Sequence, residues 1–522
     1  MTDRKRVVIV GAGHNGLVCA AYLARAGREV LVLEAAAQVG GAAITRQFAP
    51  GFKVSACAHL AYLLDGTVSR ELNLAGHGLK WARNDLRTVA LASAGEHLVL
   101  HGGELEGGSL PQADREALTA YHKRMLRFAA VLGRQHNRRP PRIAGGGVSE
   151  AMAAAKLGFD IRRLGRESMR EFLRIAGINI YDVLEELFET PLLKGALALD
   201  AVLGTNLGPR SNNSVLALLH RLSGSGAGVA GGISLPTGGM GSVSDALASA
   251  ARAAGATVRT GAVVKRITLD GDRVSGVELD SGEQLAADDV VSNADPARTL
   301  LGLVGAQHFE TGFVHRVRHI RSKGMAAKLH LALTGLPAFA RLPAALAGER
   351  LLIAPDAGYI ERAFDSAKYG QCSAEPALEI SIPSVHDASL APAGQHVLSA
   401  IVQYAPFDPR ASNDAARAGL LESALAVLER HAPGLRAQVR HAELLLPADI
   451  EREFRITGGH WHHGELALDQ LIMLRPVPGF AQYAMPVNGL YLCGAGCHPG
   501  GGVMGSAGRN AAQAVLKPES RS

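Results

Sequence analysis

Cysteine is scarce in this chain. Cys19, Cys57, Cys372, Cys493 and Cys497 are odd in number and scattered over 522 residues, which excludes a disulfide framework and is expected of a reducing compartment such as the cytoplasm. No Cys-x-x-Cys occurs, and Cys493 and Cys497 have three residues between them, so the paired thiols of a redox disulfide are missing too. Cys19 and Cys57 read as small core residues. A strong excess of one charge is also lacking. With 54 Lys+Arg against 48 Asp+Glu the formal charge is +6, too mild over this length to suggest a nucleic-acid partner. No run of about 18 apolar residues escapes glycine or charge, so no spanning helix is expected. No charged-then-apolar leader precedes Val7, so secretion is not expected either. Basic residues do gather locally, at Arg138-Arg139 with Arg142, at Arg162-Arg163 with Arg166 and Arg170, and from Arg316 to Lys323. The plain reading is a solvated face. Apolar residues between the charges of the last two runs leave peripheral contact with a membrane inner surface as the alternative.

Glycine, by contrast, is abundant and organised. Val7 to Val10 is an uninterrupted apolar strand of the kind buried on both faces of a parallel sheet. Gly11-Ala-Gly13-His-Asn15-Gly16 follows it, then a helical stretch to Gly27 and a second strand from Val30 to Leu33 that ends on Glu34. In this setting Gly11 allows the tight turn, Gly13 lets backbone approach a pyrophosphate, and Gly16 lets the helix close onto the strand, while the free N–H groups of the helix start face phosphate. Glu34 lies 18 positions after Gly16, where a carboxylate accepts hydrogen bonds from a ribose diol. Gly40-Gly41 and Thr45 come next. A second glycine pair so close to the ribose acid suits an extended FAD better than NAD.

Further along, Asp114 to Leu132 and Ser168 to Leu187 carry helical spacing, separated by Arg138-Arg-Pro-Pro141 and a Gly145-Gly-Gly147 break, so about 110–225 reads as a helical insertion. Leu192-Leu193, Leu197, Leu199 and Val202-Leu203 read first as helical core and second as the lining of an apolar substrate cavity. From Gly231 the texture changes. Leu235-Pro-Thr-Gly-Gly-Met-Gly241 leads into a helix through Ala254, with Ser242 or Ser244 as its expected cap. Thr257 to Ile267 then reads as one strand, followed by strands near Arg273–Leu279 and Gln284–Val291 and the motif Ser292-Asn-Ala-Asp-Pro296. Near the C-terminus, Gly489 to Gly505 repeats the strand, glycine loop and helix logic of the N-terminus, the helix beginning about Ala507. Its positive end is suited to negative charge on a reduced flavin.

On the motifs at 11–17, 235–241, 292–296 and 489–510, which span nearly the whole chain, the sequence resembles the phytoene desaturase-like family of FAD flavoproteins. Within that family it is most similar to the branch of pyridine nucleotide-disulfide oxidoreductase domain-containing proteins. The resemblance implies an α/β protein with a glutathione-reductase-type, Rossmann-like FAD-binding domain assembled from 1–75, 231–300 and 451–522. A mixed α+β substrate domain at 76–230 and 301–450 would carry the helical insertion. It implies that Val264 lies near the adenine and that Gly494, Gly501, Gly502 and Val503 run along the flavin. With the residues read above, the cofactor contacts expected are Gly11, Gly13, Asn15, Gly16, Glu34, Gly40, Gly41, Ala42, Thr45 and Val264. Many relatives have Arg where this chain has Ala42, so one pyrophosphate or flavin contact is expected to be missing.

For chemistry, His460, His462 and His463, with Glu465, sit in a glycine-bounded loop before the C-terminal strand, and His498 lies in the glycine loop itself. One of them is expected to act as general acid or base beside the flavin, the alternative being a loop held by histidine hydrogen bonds. A metal is not expected, because a second ligand pair is lacking. The chain therefore reads as an FAD-dependent oxidoreductase of the desaturase, dehydrogenase, saturase or isomerase type. Its substrate would be a small apolar or amphipathic molecule, and its electron acceptor could be oxygen, a quinone or a protein. Two other readings stand beside it: a reduced-FAD enzyme of net non-redox chemistry such as hydration, and a flavin-containing interaction protein with vestigial catalysis.

Overall fold

Four consecutive apolar residues need partners on both sides, and they have them. In the computed structural model, which describes residues 5–142 and 148–518, the Arg6–Val10 strand is the middle of a five-stranded parallel sheet. The spatial order is Thr257–Arg259, Glu29–Leu33, Arg6–Val10, Asp289–Ser292, Leu490–Leu492. Val7, Val8 and Ile9 are completely buried. The His14–Arg25 helix packs against the helices Gly241–Ala253 and Ser506–Leu516. It approaches the latter so closely that a Cβ on Gly508 would stand 2.1 Å from the Asn15 carbonyl oxygen.

The stretch expected as one strand from Thr257 to Ile267 is two. Thr257–Arg259 closes the parallel sheet, whereas Val264–Asp270 opens an antiparallel meander with Arg273–Leu279 and Gln284–Ala286. The break falls at Gly261, at φ +66°, where the chain bends so that Gly261 and Ala262 donate to the carbonyls of Ala36 and Glu34. Alternating residues do not reveal this, because the bend is stabilised by a strand more than two hundred residues earlier. Ser168–Leu187 is likewise two helices, Arg166–Ile175 and Ile180–Leu187, the second begun by Asn179, whose side chain accepts from Asp182 N–H at 2.9 Å. The first expected helix is Gln112–Gly133. The Gly145–Gly147 break lies outside the described residues.

A second sheet of eight strands forms the other half. Its order is Val439–Leu445, Ala326–Leu333, His396–Gln403, Ala377–Ser381, Arg350–Ile353, Thr88–Ala90, Leu98–His101, Glu104–Gly107, antiparallel except where Arg350–Ile353 meets Thr88–Ala90. Ala326–Leu333 is buried at every position even though it contains Lys328 and His330. The helices Gln112–Gly133, Pro191–Val202, Ser214–Leu222 and Ala357–Lys368 share a core with Leu352 and Tyr404 of this half.

The cap expected on the Gly241–Ala253 helix is not supplied locally. Ser242 donates to the Gly239 carbonyl and Ser244 to the Ala43 carbonyl, so both hydroxyls point away from the helix start. Met240 and Gly241 N–H groups instead donate to Ser55 and Thr45 hydroxyls, each at 3.0 Å, from the hairpin of Thr45–Ala49 and Phe52–Ser55. Thr45 also donates to the Gly238 carbonyl at 2.8 Å. Thr45→Val keeps the shape and strands a buried N–H. It is expected to cost about 1–3 kcal/mol and to lower the thermal unfolding midpoint, while FAD bound per folded molecule, measured by absorbance, stays at the wild-type value.

Candidate active site

The ends of the strands Arg6–Val10, Glu29–Leu33 and Asp289–Ser292 open on a groove lined by Gly11, Gly13, Asn15, Glu34, Gly40, Gly41, Ala42 and Val264 among others. Gly11 turns at φ +94°, and a Cβ on Gly16 would meet the Gly11 carbonyl oxygen at 2.3 Å, so neither tolerates a side chain. The space beside Gly13 is filled by Asn293, whose Nδ2 would lie 2.4 Å from a Cβ there. Glu34 is held at the groove by Ala12 N–H at 2.6 Å and Ala36 N–H at 2.9 Å, one to each oxygen. A carboxylate oxygen has more than one acceptor site, so both remain able to receive a hydroxyl. Gly40 N–H donates to the Ala12 carbonyl at 2.8 Å, laying the second glycine pair against the first. Thr45, engaged with Gly238 and Gly241, does not line the groove.

The groove continues through His14, Ala42 and Trp461 into an inner chamber of about 80 Å³. Besides these, His59, Tyr62, Leu203, Ile401, His462 and Val503 line it. Of the residues expected along a flavin ring, Gly502 and Val503 line the chamber, whereas Gly494 is covered by the Asn293 backbone and Gly501 by His462. Buried polar atoms without a hydrogen-bond partner collect where groove and chamber meet: His14 Nε2, Asn15 Oδ1, His462 Nδ1 and His463 Nδ1. Polar atoms left unpaired in the protein, beside a cradle of glycines, fit a dinucleotide that supplies the missing partners.

The histidine loop divides. His462 lines the chamber and His463 the groove. Burial holds His462 well below its ordinary pKa, with His460 and His220 adding to the effect. Burial also takes His463 down to about 4, against the pull of Asp295. Both are neutral near pH 7. His460 lines neither space, its Nε2 lying 3.3 Å from the Glu465 carboxylate. His498 also lines neither. Its Nε2 meets the Gln135 carbonyl at 2.9 Å, and burial lowers it to about 4. The loop is clamped by Arg475, fully enclosed, which donates to the carbonyls of His462, Gly464, Glu465, Gln470 and Ala495. Burial lowers Arg475 to about 10. Among the described residues no cluster of three or more His, Cys, Asp or Glu is arranged to hold a metal, and all five cysteines are free.

Sequence reasoning missed three groups. Arg298 and Arg455 line the groove and bring the positive charge that Ala42 does not. Lys328, wholly buried in the large sheet, contacts His59 Nδ1, leaving His59 Nε2 without a partner among the described residues at the chamber wall. Burial lowers Lys328 to about 7, and burial with the Lys328 charge holds His59 well below its ordinary value. A lysine inside the apolar run Ala326-Ala-Lys-Leu-His-Leu-Ala-Leu333 is the signal that could have drawn attention to it.

Residues 16–516 match the family model described as flavin containing amine oxidoreductase. The chain is 34% identical, over 98% of its length and 93% of the relative's, to the mouse (Mus musculus) pyridine nucleotide-disulfide oxidoreductase domain-containing protein 2. It is 26% identical, over 99% of both chains, to a phytoene desaturase (lycopene-forming) from Pseudescherichia vulneris. Among solved structures, an oxidoreductase from Methanosarcina mazei shares the fold, with a TM-score of 0.60 over 98% of this chain and 99% of that one at 19% identity.

Glu34→Arg removes the acceptor for Ala12 and Ala36 and brings a cation to the edge of the groove where a ribose is expected. The variant is expected to purify without FAD, read as loss of flavin absorbance relative to protein. Retention of FAD at ordinary dilution would show that Glu34 does not hold the ribose.

Proposed function

Since the chain belongs to the flavin containing amine oxidoreductase family and is an FAD-dependent oxidoreductase, we propose that it dehydrogenates, or in reverse saturates, an apolar or amphipathic small molecule bound in the inner chamber. The observation that carries this reading is the continuity of the glycine-lined groove with a chamber walled by Leu203, Ile401, Val503 and neutral imidazoles. The adenosine end of FAD would be held by Glu34 and Val264, its pyrophosphate by the start of the His14–Arg25 helix with Arg298, and its ring beside His14, Trp461 and Gly502. FAD, when bound, supplies the two-electron acceptor or donor for hydride transfer at carbon. The chain's own part is the proton.

His59 is the group that meets the substrate. Its free Nε2 takes a proton from the carbon adjacent to the one oxidised, and its Nδ1 proton passes to Lys328 Nζ, which at about 7 is ready to receive it. His14 and His462 each have a ring nitrogen without a hydrogen-bond partner among the described residues, and both also line the chamber. Trp461 and Leu203 exclude water from it. His460 and His498, enclosed elsewhere, act in this reading as loop supports.

If the pair accepts the proton, the rate of flavin reduction by substrate rises with pH through about 7, where Lys328 becomes neutral, and Lys328→Met loses that limb and slows reduction about a hundredfold while keeping FAD. The same variant tests burial. The unfolded chain protonates lysine up to 10.5 and the folded protein only up to about 7. Stability is therefore lost as pH falls between those values, and the loss stays constant below them. Lys328→Met is thus expected to raise the unfolding midpoint, most below about pH 7 and least toward about pH 10. A rate profile whose only inflection lies near 4 would assign the proton to His14 or His463 instead.

Membrane contact, as proposed here, is peripheral. Among the described residues no helix is long and apolar enough to cross a bilayer. Met152, Phe159 and Leu173 are exposed on the helices Val148–Arg162 and Arg166–Ile175, beside exposed Arg162, Arg163, Arg166 and Arg170. In the run from Arg316 to Lys323, Arg321 and Lys323 are engaged by Asp469 and Asp408, so the run from Arg162 to Arg170 carries the reading. The protein is expected to float with vesicles of anionic phospholipid at low salt and to leave them when salt is raised. Phe159→Ser with Leu173→Ser would weaken binding, whereas release by detergent alone would contradict it.

A further inference from the structure

Arg221, at the end of the Ser214–Leu222 helix, lines the inner chamber and also a separate outer cavity of about 380 Å³. Tyr121, Met125, Leu197, Leu218 and Ile233 make the apolar wall of the outer cavity. The partition between the two spaces is a cluster of four charges. Arg350 holds both acids tightly, with Nε on Glu379 and Nη2 on Asp200, each at 2.5 Å, and its Nη1 donates to Thr88 at 3.1 Å. Arg221 touches the same two acids more loosely, Nε 3.2 Å from Asp200 and Nη2 3.4 Å from Glu379, with its guanidinium over the Tyr62 ring at 4.8 Å. Its Nη1 makes no hydrogen bond to a described residue, although only a tenth of the side chain is exposed. Two cations and two anions cancel, and Lys328, behind Glu379, adds positive charge when protonated. The partition therefore does not repel an anion, and the cation facing the two cavities is the one whose hydrogen-bonding capacity is unfilled.

We propose that the outer cavity is the vestibule of the substrate site and that Arg221 is its specificity residue, receiving the carboxylate of an aliphatic acid whose neighbouring carbons then lie in the inner chamber. This rests on the reading of the chamber as the place of oxidation. An arginine with its Nη1 free donates a charge-assisted hydrogen bond to a carboxylate, stronger than an ester carbonyl can accept and opposed by the charge of an amine. Leu197, on the Pro191–Val202 helix, stands in the vestibule and Leu203, just past that helix, in the chamber, so one short stretch lines both ends of the route. The neighbouring Leu193, Leu199 and Val202 are fully buried core.

The test titrates the FAD-loaded protein with butanoate, hexanoate and octanoate, with their methyl esters, and with the corresponding amines, reading the shift of the flavin absorption bands. Carboxylates are expected to bind about tenfold or more tighter than the esters, and Arg221→Gln to abolish that preference while ester binding stays. Arg221→Lys, which keeps the charge opposite Asp200 and Glu379 if the glutamine variant does not fold, is expected to retain only part of it. Leu197→Trp fills the vestibule and is expected to slow the approach to equilibrium in stopped flow without changing the preference. Esters or amines binding as well as acids, or a preference that survives Arg221→Gln, would overturn the role of Arg221 while leaving the chamber reading intact. If no acid, ester or amine perturbs a flavin that dithionite still reduces, the chamber reading fails, and the proposal with it.

Discussion

The contact on which the cofactor end of this protein depends is the Asn293 amide lying where a side chain on Gly13 would be. The same residue crowds Gly16 from its Cβ, at 3.2 Å from where a methyl would stand, and its carbonyl oxygen would be 2.4 Å from a Cβ on Gly494. Three stretches separated by hundreds of residues can meet this closely only because three glycines, Gly13, Gly16 and Gly494, face one asparagine. The strand order follows from it, since Asn293 N–H donates to Val10 and Cys493 N–H to Ser292, each at 2.8 Å. Glu34, Gly40 and Gly41 are then brought to the same edge, and Gly11, Gly13, Gly40 and Gly41 put no side chain into the groove between them.

Burial decides the electrostatics beside the groove. His14, His462 and His463 are enclosed without an anionic partner strong enough to keep a proton, so all three are neutral near pH 7. Asp295, which could have charged His463, is engaged with Thr457 and with Arg298 N–H. Arg475 stays cationic in the same surroundings because its donors meet carbonyl oxygens on every side, a hydrogen-bonded cage that offsets much of its desolvation. Among the described residues Lys328 Nζ hydrogen-bonds only His59, and burial takes it to about 7. Two buried basic side chains are thus left in different surroundings, one caged by carbonyl oxygens within a loop and the other set against an imidazole.

The two halves meet in a chamber that neither makes alone. The parallel-sheet half contributes His14 and the end of the C-terminal loop, and the large sheet contributes Ile401 and Glu379. Apolar walls with few polar groups are what a hydrocarbon-bearing substrate requires. The four-charge partition at its edge costs desolvation energy that an apolar wall would not, which is a physical reason to look for a substrate that uses it.

The dinucleotide unit was legible because its demands are local. An apolar strand, glycines at a turn and an acid at the end of the next strand each follow from the covalent chain and its immediate neighbours; the glycine pair Gly40-Gly41 added FAD, and the family came from the resemblance of motifs spread along the chain. Helix existence was legible in the same way from Asp114 to Leu132. What the sequence could not settle were features held by distant partners: the bend at Gly261 bonded to Ala36, the cap of the Gly241–Ala253 helix supplied by Thr45 and Ser55, and the division of the histidine loop into residues that line a cavity and residues that do not. The three neighbouring imidazoles His460, His462 and His463 look alike in a string. Only the tertiary structure turned His462 toward the chamber and His460 toward Glu465, and only it placed Lys328 against His59 and Arg221 between two cavities, because burial and the pairing of charge are set by residues far apart in the chain.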